Sequence, residues 1–278
     1  MAGAVDSFAF HHGCSLLWGD LLMIRTRFAI LLAALAALAG RDDTQAATIT
    51  VKTSADVEVR EQNNTGNNGT GVSGNINSRY LNTGANNETM AFRFDLTGVN
   101  RATISGATLN LFNQRNNTAR VIHAFGVADG ATGVDTTPGW DDNTWNEATV
   151  IHSTMPGIAR DANAITQDET GTDLGTFAIT AASLKGTINT FTSAAITTYL
   201  QSHADDIVTI LVRSDTSSSG QARIATYHAS ALDGGTPSGA VGDYAAYLQF
   251  DVPSVPEPSS ALLLGVAAAL GGLTRRRR

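Results

Sequence analysis

Between Thr48 and Val252 apolar and polar residues alternate in short runs, a period of two that predicts strands with one buried and one polar face. Thr48–Thr53 (TITVKT) and Asp56–Glu61 (DVEVRE) open the series. Met90–Leu96 (MAFRFDL), Ala102–Phe112 (ATISGATLNLF) and Arg120–Ala128 (RVIHAFGVA) continue it. Leu174–Thr180, Asp206–Ser214, Ala222–Ser230 and Asp243–Val252 complete it. One segment breaks the pattern: Ser193–Ala204 (SAAITTYLQSHA) places Ile196, Tyr199 and Leu200 at helical spacing. Glu61–Ser78 (EQNNTGNNGTGVSGNINS) is rich in turn formers and predicts a surface loop. Strands joined by loops, with one short helix and no internal repeat, predict an all-β fold, an antiparallel β-sandwich of jelly-roll type.

The two ends read differently. Arg25 and Arg27 precede the apolar run Phe28–Ala39 (FAILLAALAALA), the n-region and h-region of a signal peptide, with small-residue cleavage positions after Ala39 or Ala46. The 22 residues ahead of Met23 contain Asp6 and Asp20 and do not fit a signal start, so residues 1–22 read as an extension and 23–47 as the signal peptide. At the other end, Pro256-Glu257-Pro258 is followed by the uncharged run Ala261–Leu273 and then by Arg275, Arg276, Arg277 and Arg278. As a helix that run rises about 20 Å, short of the ~30 Å hydrocarbon core, and makes a poor permanent anchor. The arginine cluster holds the tail on the cytoplasmic side and leaves the preceding domain outside.

These features of 253–278 resemble a PEP-CTERM sorting signal. The resemblance implies a membrane exosortase as processing partner, transient membrane insertion, cleavage near the Pro-Glu-Pro, and delivery to the cell surface or extracellular matrix. An ordinary carboxy-terminal anchor is the alternative.

Charge and cysteine usage narrow the classes for residues 48–252. That stretch holds 11 Lys and Arg against 20 Asp and Glu, a net charge of −9. Such a balance repels a phosphate backbone and argues against nucleic acid as a partner. The chain's one cysteine, Cys14, precedes the h-region, so the exported part has no disulfide, no thiolate nucleophile and no thiolate metal site.

The order of motifs also resembles the DNRLRE-domain family, which is similar to carbohydrate-binding modules with alginate-binding members. A first strand of the type A-D-x-x-x-R-E is matched by Ala55, Asp56, Arg60 and Glu61, and leads into the Gly/Asn-rich loop. The R-F-D-L strand is matched by Arg93–Leu96, and A-T-L-x-L by Ala107, Thr108, Leu109 and Leu111. Of W-x-E-x-x-V-T-W the chain has Trp145, Glu147 and Val150, but Ile151 and His152 stand where Thr and the second Trp would be. The resemblance implies a non-catalytic module with extracellular polysaccharide as partner; a purely structural spacer and a polysaccharide-degrading enzyme are the alternatives.

Each candidate residue has a plainer reading beside the functional one. Asp56, Arg60, Arg93 and Asp95 fit ion pairs on exposed sheet faces, worth only ~0–1 kcal/mol each. Trp145, two residues from Glu147, fits a core tryptophan with its N–H bonded. Trp140 and Tyr80, in turn-rich surroundings, are the candidate rings for stacking on a sugar, with Trp145 as a third. Asp141, Asp142 and Asn143 offer three oxygens to a structural calcium ion, which needs six to eight, and are equally good turn formers. His123, His152, His203 and His228 show no zinc spacing, and nucleophile elbow, phosphate loop and dinucleotide motifs are absent. The exported domain is therefore expected to be non-catalytic.

Overall fold

A computed structural model describes residues 46–61, 64–67, 75–78, 87–115, 119–135, 140–158, 169–179, 185–215, 221–232 and 240–253. Tyr80, residues 1–45 and residues 254–278, including Pro256–Pro258 and Arg275–Arg278, lie outside these residues. Ala46 and Ala47, expected in the signal peptide, and Pro253, expected in the sorting segment, belong to strands of the sandwich. Ala46–Pro253 is one compact unit.

The strands are β1 (Ala46–Arg60), β2 (Thr65–Asn67), β3 (Asn75–Ser78), β4 (Glu88–Asp95), β5 (Ser105–Phe112), β6 (Arg120–Gly126), β7 (Thr172–Ile179), β8 (Ile188–Thr192), β9 (Ile207–Ser214), β10 (Ala222–Ala225) and β11 (Tyr247–Pro253). One helix, α1 (Ala194–Ser202), stands among them, capped by the Ser193 side chain accepting from the Ala195 N–H. Neighbours in the main sheet run β7-β6-β9-β4-β1-β11-β5-β8, with β2 on β1, and β10 pairs with β3 in a separate ribbon; every pairing is antiparallel. The result is an all-β sandwich whose sheet curls nearly into a barrel.

The curl has a local cause in β1. Thr48–Thr53 and Asp56–Glu61, expected as two strands, form one continuous strand with a register shift between Thr53 and Ala55. Such an irregularity bends and twists a strand. Its first half pairs with β11 and its second with β4, so a single strand belongs to both halves of the sandwich. The Gly/Asn-rich segment expected as loop contains the short strands β2 and β3.

Two apolar layers follow from the alternation. Phe92, Phe94, Leu109, Leu111, Ile122, Ile210, Val212, Leu248 and Phe250 face inward between the sheet halves, and α1 adds Ile196, Tyr199 and Leu200. The opposite face of the β1-β4-β9-β6 half carries Val57, Val59, Ala91, Leu211 and Phe125, and Trp145, Val150, Met155 and Ile158 cover it. That half is therefore apolar on both sides, although antiparallel sheets commonly leave one face wet.

Helix α1 is fastened by Tyr199. Its hydroxyl lies 2.8 Å from the Val127 carbonyl and 3.0 Å from that of Thr209, donating between them. The ring occupies the space a side chain at Gly126 would need, since a Cβ there would lie 2.5 Å from it. Gly126→Ala is expected to destabilise the fold by about 1–3 kcal/mol through overpacking, read as a lower urea midpoint with an unchanged slope.

Candidate functional site

Residues 140–150 cross the outer face of the sheet, and Trp145 anchors them. Its side chain is 0% exposed. The indole N–H donates to the Thr209 hydroxyl at 2.9 Å, and that hydroxyl donates onward to the Asp142 carbonyl. Arg93 lies over the ring, 5.1 Å from its centroid, and donates to the Trp145 carbonyl. A guanidinium on an indole face adds a cation–π attraction. A ring sealed on this scale has no face left for a sugar, which removes Trp145 from the candidate stacking platforms. Trp140 is half-buried against the same cluster.

Asp141, Asp142 and Asn143 do not converge. The Asp141 carboxylate accepts from the Asn143 and Thr144 N–H groups at 3.2 and 2.9 Å and from the Thr144 hydroxyl at 2.6 Å, which closes its own turn. Asn143 donates from Nδ2 to Asp205 at 2.9 Å. Asp142 turns inward and is fully buried; its Oδ1 accepts from Gly130 N–H at 2.8 Å and its Oδ2 lies 3.2 Å from His203 Nε2. Burial raises the Asp142 carboxyl above its usual range, opposed by the Gly130 N–H and the His203 ring.

Seven residues past Trp140, the same segment ends in a second cluster. Glu147 Oε1 lies 2.6 Å from His228 Nε2, and Oε2 accepts from Asp56 N–H at 3.2 Å. Asp56 is fully buried; its Oδ2 accepts from Tyr227 N–H at 2.7 Å, while Oδ1 has no hydrogen-bond partner among the described residues. Tyr227 and His228 meet edge to face with centroids 5.7 Å apart. Tyr227, His228 and Glu147 are all half-buried, with the His228 and Glu147 side chains 27% and 23% exposed. The rim thus presents an aromatic ring, an imidazole and a carboxylate side by side, held from beneath by a buried acid. Such a set donates and accepts hydrogen bonds while offering an apolar ring surface, the mixture that a hydroxyl-rich ligand needs.

The residues that motif reading placed on exposed faces divide between surface and interior. Asp56 is buried, and Arg60 pairs with the buried Glu58 and lies 3.7 Å from Glu88. Asp95 does remain at the surface, accepting from Thr97 N–H at 2.9 Å. His203 and His228 each meet carboxylates far away in sequence, contacts that the search for local metal spacing passed over.

Residues 254–278 match the PEP-CTERM protein-sorting motif. The motif implies processing by an exosortase and export to the cell envelope or surface. No curated protein matches the chain. Among the described residues no helix is long and apolar enough to cross a membrane.

Burial raises the Asp56 carboxyl well above the ordinary range, the Tyr227 N–H opposing and the Glu147 charge adding. A carboxyl whose folded value is raised contributes most below the ordinary carboxylate value of about 4 and loses that contribution as pH climbs through the raised one. Asn in its place keeps an acceptor for Tyr227 and carries no charge. Asp56→Asn is therefore expected to gain stability relative to the parent as pH rises from 4 to 8, measured by urea midpoints at the two values. An equal loss at both would show an ionised, well-supported Asp56 instead.

Proposed function

We propose that this protein is exported, cut from its carboxy-terminal sorting segment by an exosortase, and left at the cell surface or in the extracellular matrix as a non-catalytic module that binds polysaccharide. The observation that carries this reading is the occurrence, in one chain, of the sorting motif at 254–278 and the partly exposed Tyr227–His228–Glu147 cluster of the sandwich. The ordered DNRLRE-type motifs agree with it, and in this reading their residues build the frame: Asp56 supports the rim from below and Arg93 holds Trp145. Ligand contact then falls to Tyr227, His228, Glu147 and the half-buried Trp140.

Charge sets the kind of glycan. A net −9 over residues 48–252 repels an acidic chain unless a cation lies between them. A neutral polysaccharide, or an acidic one bridged by calcium, fits.

Two experiments test the proposal. Replacing Pro256, Glu257 and Pro258 together by Ala is expected to leave the tail uncut, visible by intact mass, and to keep the protein out of the surface fraction. An unchanged processed mass would dismiss exosortase cleavage. For binding, the purified protein is titrated with the producer's exopolysaccharide, with and without calcium, beside Tyr227→Ala and Trp140→Ala. Saturable binding weakened about tenfold by Tyr227→Ala, a loss of ~1.4 kcal/mol, is expected of a contact residue. A folded protein that binds nothing under either condition would point to a structural spacer.

A further inference from the structure

We propose that Asp129, Asp142 and His203 form a binding site for one divalent transition-metal ion of the zinc class. Among the described residues, these three bring one ligand atom each to within 4.8 Å of one another. His203 Nε2 lies 2.8 Å from Asp129 Oδ1 and 3.2 Å from Asp142 Oδ2. Two carboxylates therefore converge on a single ring nitrogen. Nε2 carries at most one hydrogen in any state of the ring, so the two carboxylates either share that one hydrogen or both face a bare lone pair.

Charge balance sharpens the point. The His203 and Asp142 side chains are 2% and 0% exposed, and a buried carboxylate with a second, 36% exposed one beside it calls for positive charge. No lysine or arginine among the described residues pairs with either. Arg101, the nearby cation, donates instead to the carbonyls of His203, Ala204 and Asp205 and lies 3.7 Å from Asp206. His123 shows what an ordinary arrangement looks like in the same molecule. Its two carboxylates take opposite ring nitrogens, Asp173 on Nε2 at 2.8 Å and Asp215 on Nδ1 at 3.3 Å.

Each acidic ligand is also oriented from behind. Asp142 gives its other oxygen to the Gly130 N–H at 2.8 Å, and Asp129 gives its other oxygen to the Ala204 N–H at 2.7 Å. One oxygen tied to the backbone and one aimed at a common centre is the outer-shell support that metal ligands characteristically have. The His203 ring rests edge-on against Tyr199, with centroids 5.2 Å apart.

The donor set selects the ion. One imidazole nitrogen with two carboxylate oxygens suits zinc and its neighbours, whereas calcium asks for six to eight oxygens. Bonds of about 2.0–2.2 Å at tetrahedral angles separate ligand atoms by about 3.3 Å. The two spacings to His203 Nε2, 2.8 and 3.2 Å, therefore need open by only a few tenths of an ångström, and the two carboxylate oxygens lie within 4.8 Å of each other. Asp129 is 36% exposed, which leaves the fourth position on the solvent side for water. On binding, the ion displaces the proton between His203 and the carboxylates, and that proton leaves to solvent. The bound ion would staple the 129–130 turn, residue 142 and the end of α1 together. This proposal stands apart from glycan binding at the Tyr227 rim.

The test uses the full chain, purified without an affinity tag, stripped with chelator and titrated calorimetrically with zinc and with calcium. One equivalent of zinc per chain, a raised melting temperature with zinc and none with calcium is the expected result. Asp129→Asn, exposed and still able to accept from Ala204, should weaken zinc more than about tenfold while melting like the parent without metal. No stoichiometric uptake, uptake untouched by Asp129→Asn, or calcium bound as well as zinc would each overturn the proposal.

Discussion

The Trp145 indole is sealed between an apolar sheet face and the Arg93 guanidinium, and its N–H reaches the Thr209 hydroxyl. Burying so large a ring dominates the outer layer, and leaving its N–H unmet in that layer would cost about 1–3 kcal/mol. Because Thr209 in turn donates to the Asp142 carbonyl, the ring fixes the backbone three residues upstream as well as its own. The positions of Asp142 on one side and Glu147 on the other follow from that single insertion. Both clusters of polar chemistry are thus consequences of how one apolar side chain is housed.

The inner face handles buried acids in two ways. Glu58 is ionically matched: Arg60 pairs with Oε1, and the Asn77 backbone and side-chain N–H groups donate to Oε2 at 2.8 and 2.6 Å. Glu88 accepts from Gln221 at both oxygens, at 3.1 and 2.8 Å, and shares Arg60. Among the described residues Asp56 has neither kind of support at Oδ1, and burial drives it toward the neutral form. A buried charge persists where its lone pairs are met and gives way to protonation where they are not. Two residues apart on β1, then, sit an acid pushed toward the neutral form and an acid held in an ion-pair network.

How far the chain's own pattern leads is clear from particular elements. Period-two runs located β4, β5, β6, β7, β9 and β11, because each exposes one face to a different environment than the other. Strands β2, β3 and β8 are three to five residues long, too short for alternation to register, and two of them sit among glycines and asparagines that signal loop. Trp145 was open between core and platform on sequence grounds because a tryptophan two residues from a glutamate suits either. Asp142 looked like its neighbours in a turn, and nothing local reveals that it alone points inward. His203 stands 61 residues from it, a pairing created only when α1 returns the chain beside the 140–145 turn.

In register, Ala46 of β1 stands opposite Pro253 of β11, and the ladder runs on from there to Lys52 and Tyr247. The two ends of the sandwich therefore leave side by side from one edge of one pair of strands. Pulled apart by those ends, the ladder would open like a zipper, one hydrogen-bonded pair after another, because the load never falls on all seven pairs together. Held by one end alone, it bears no such load. A module with this geometry suits hanging from a single attachment better than it suits serving as a link in a chain under tension.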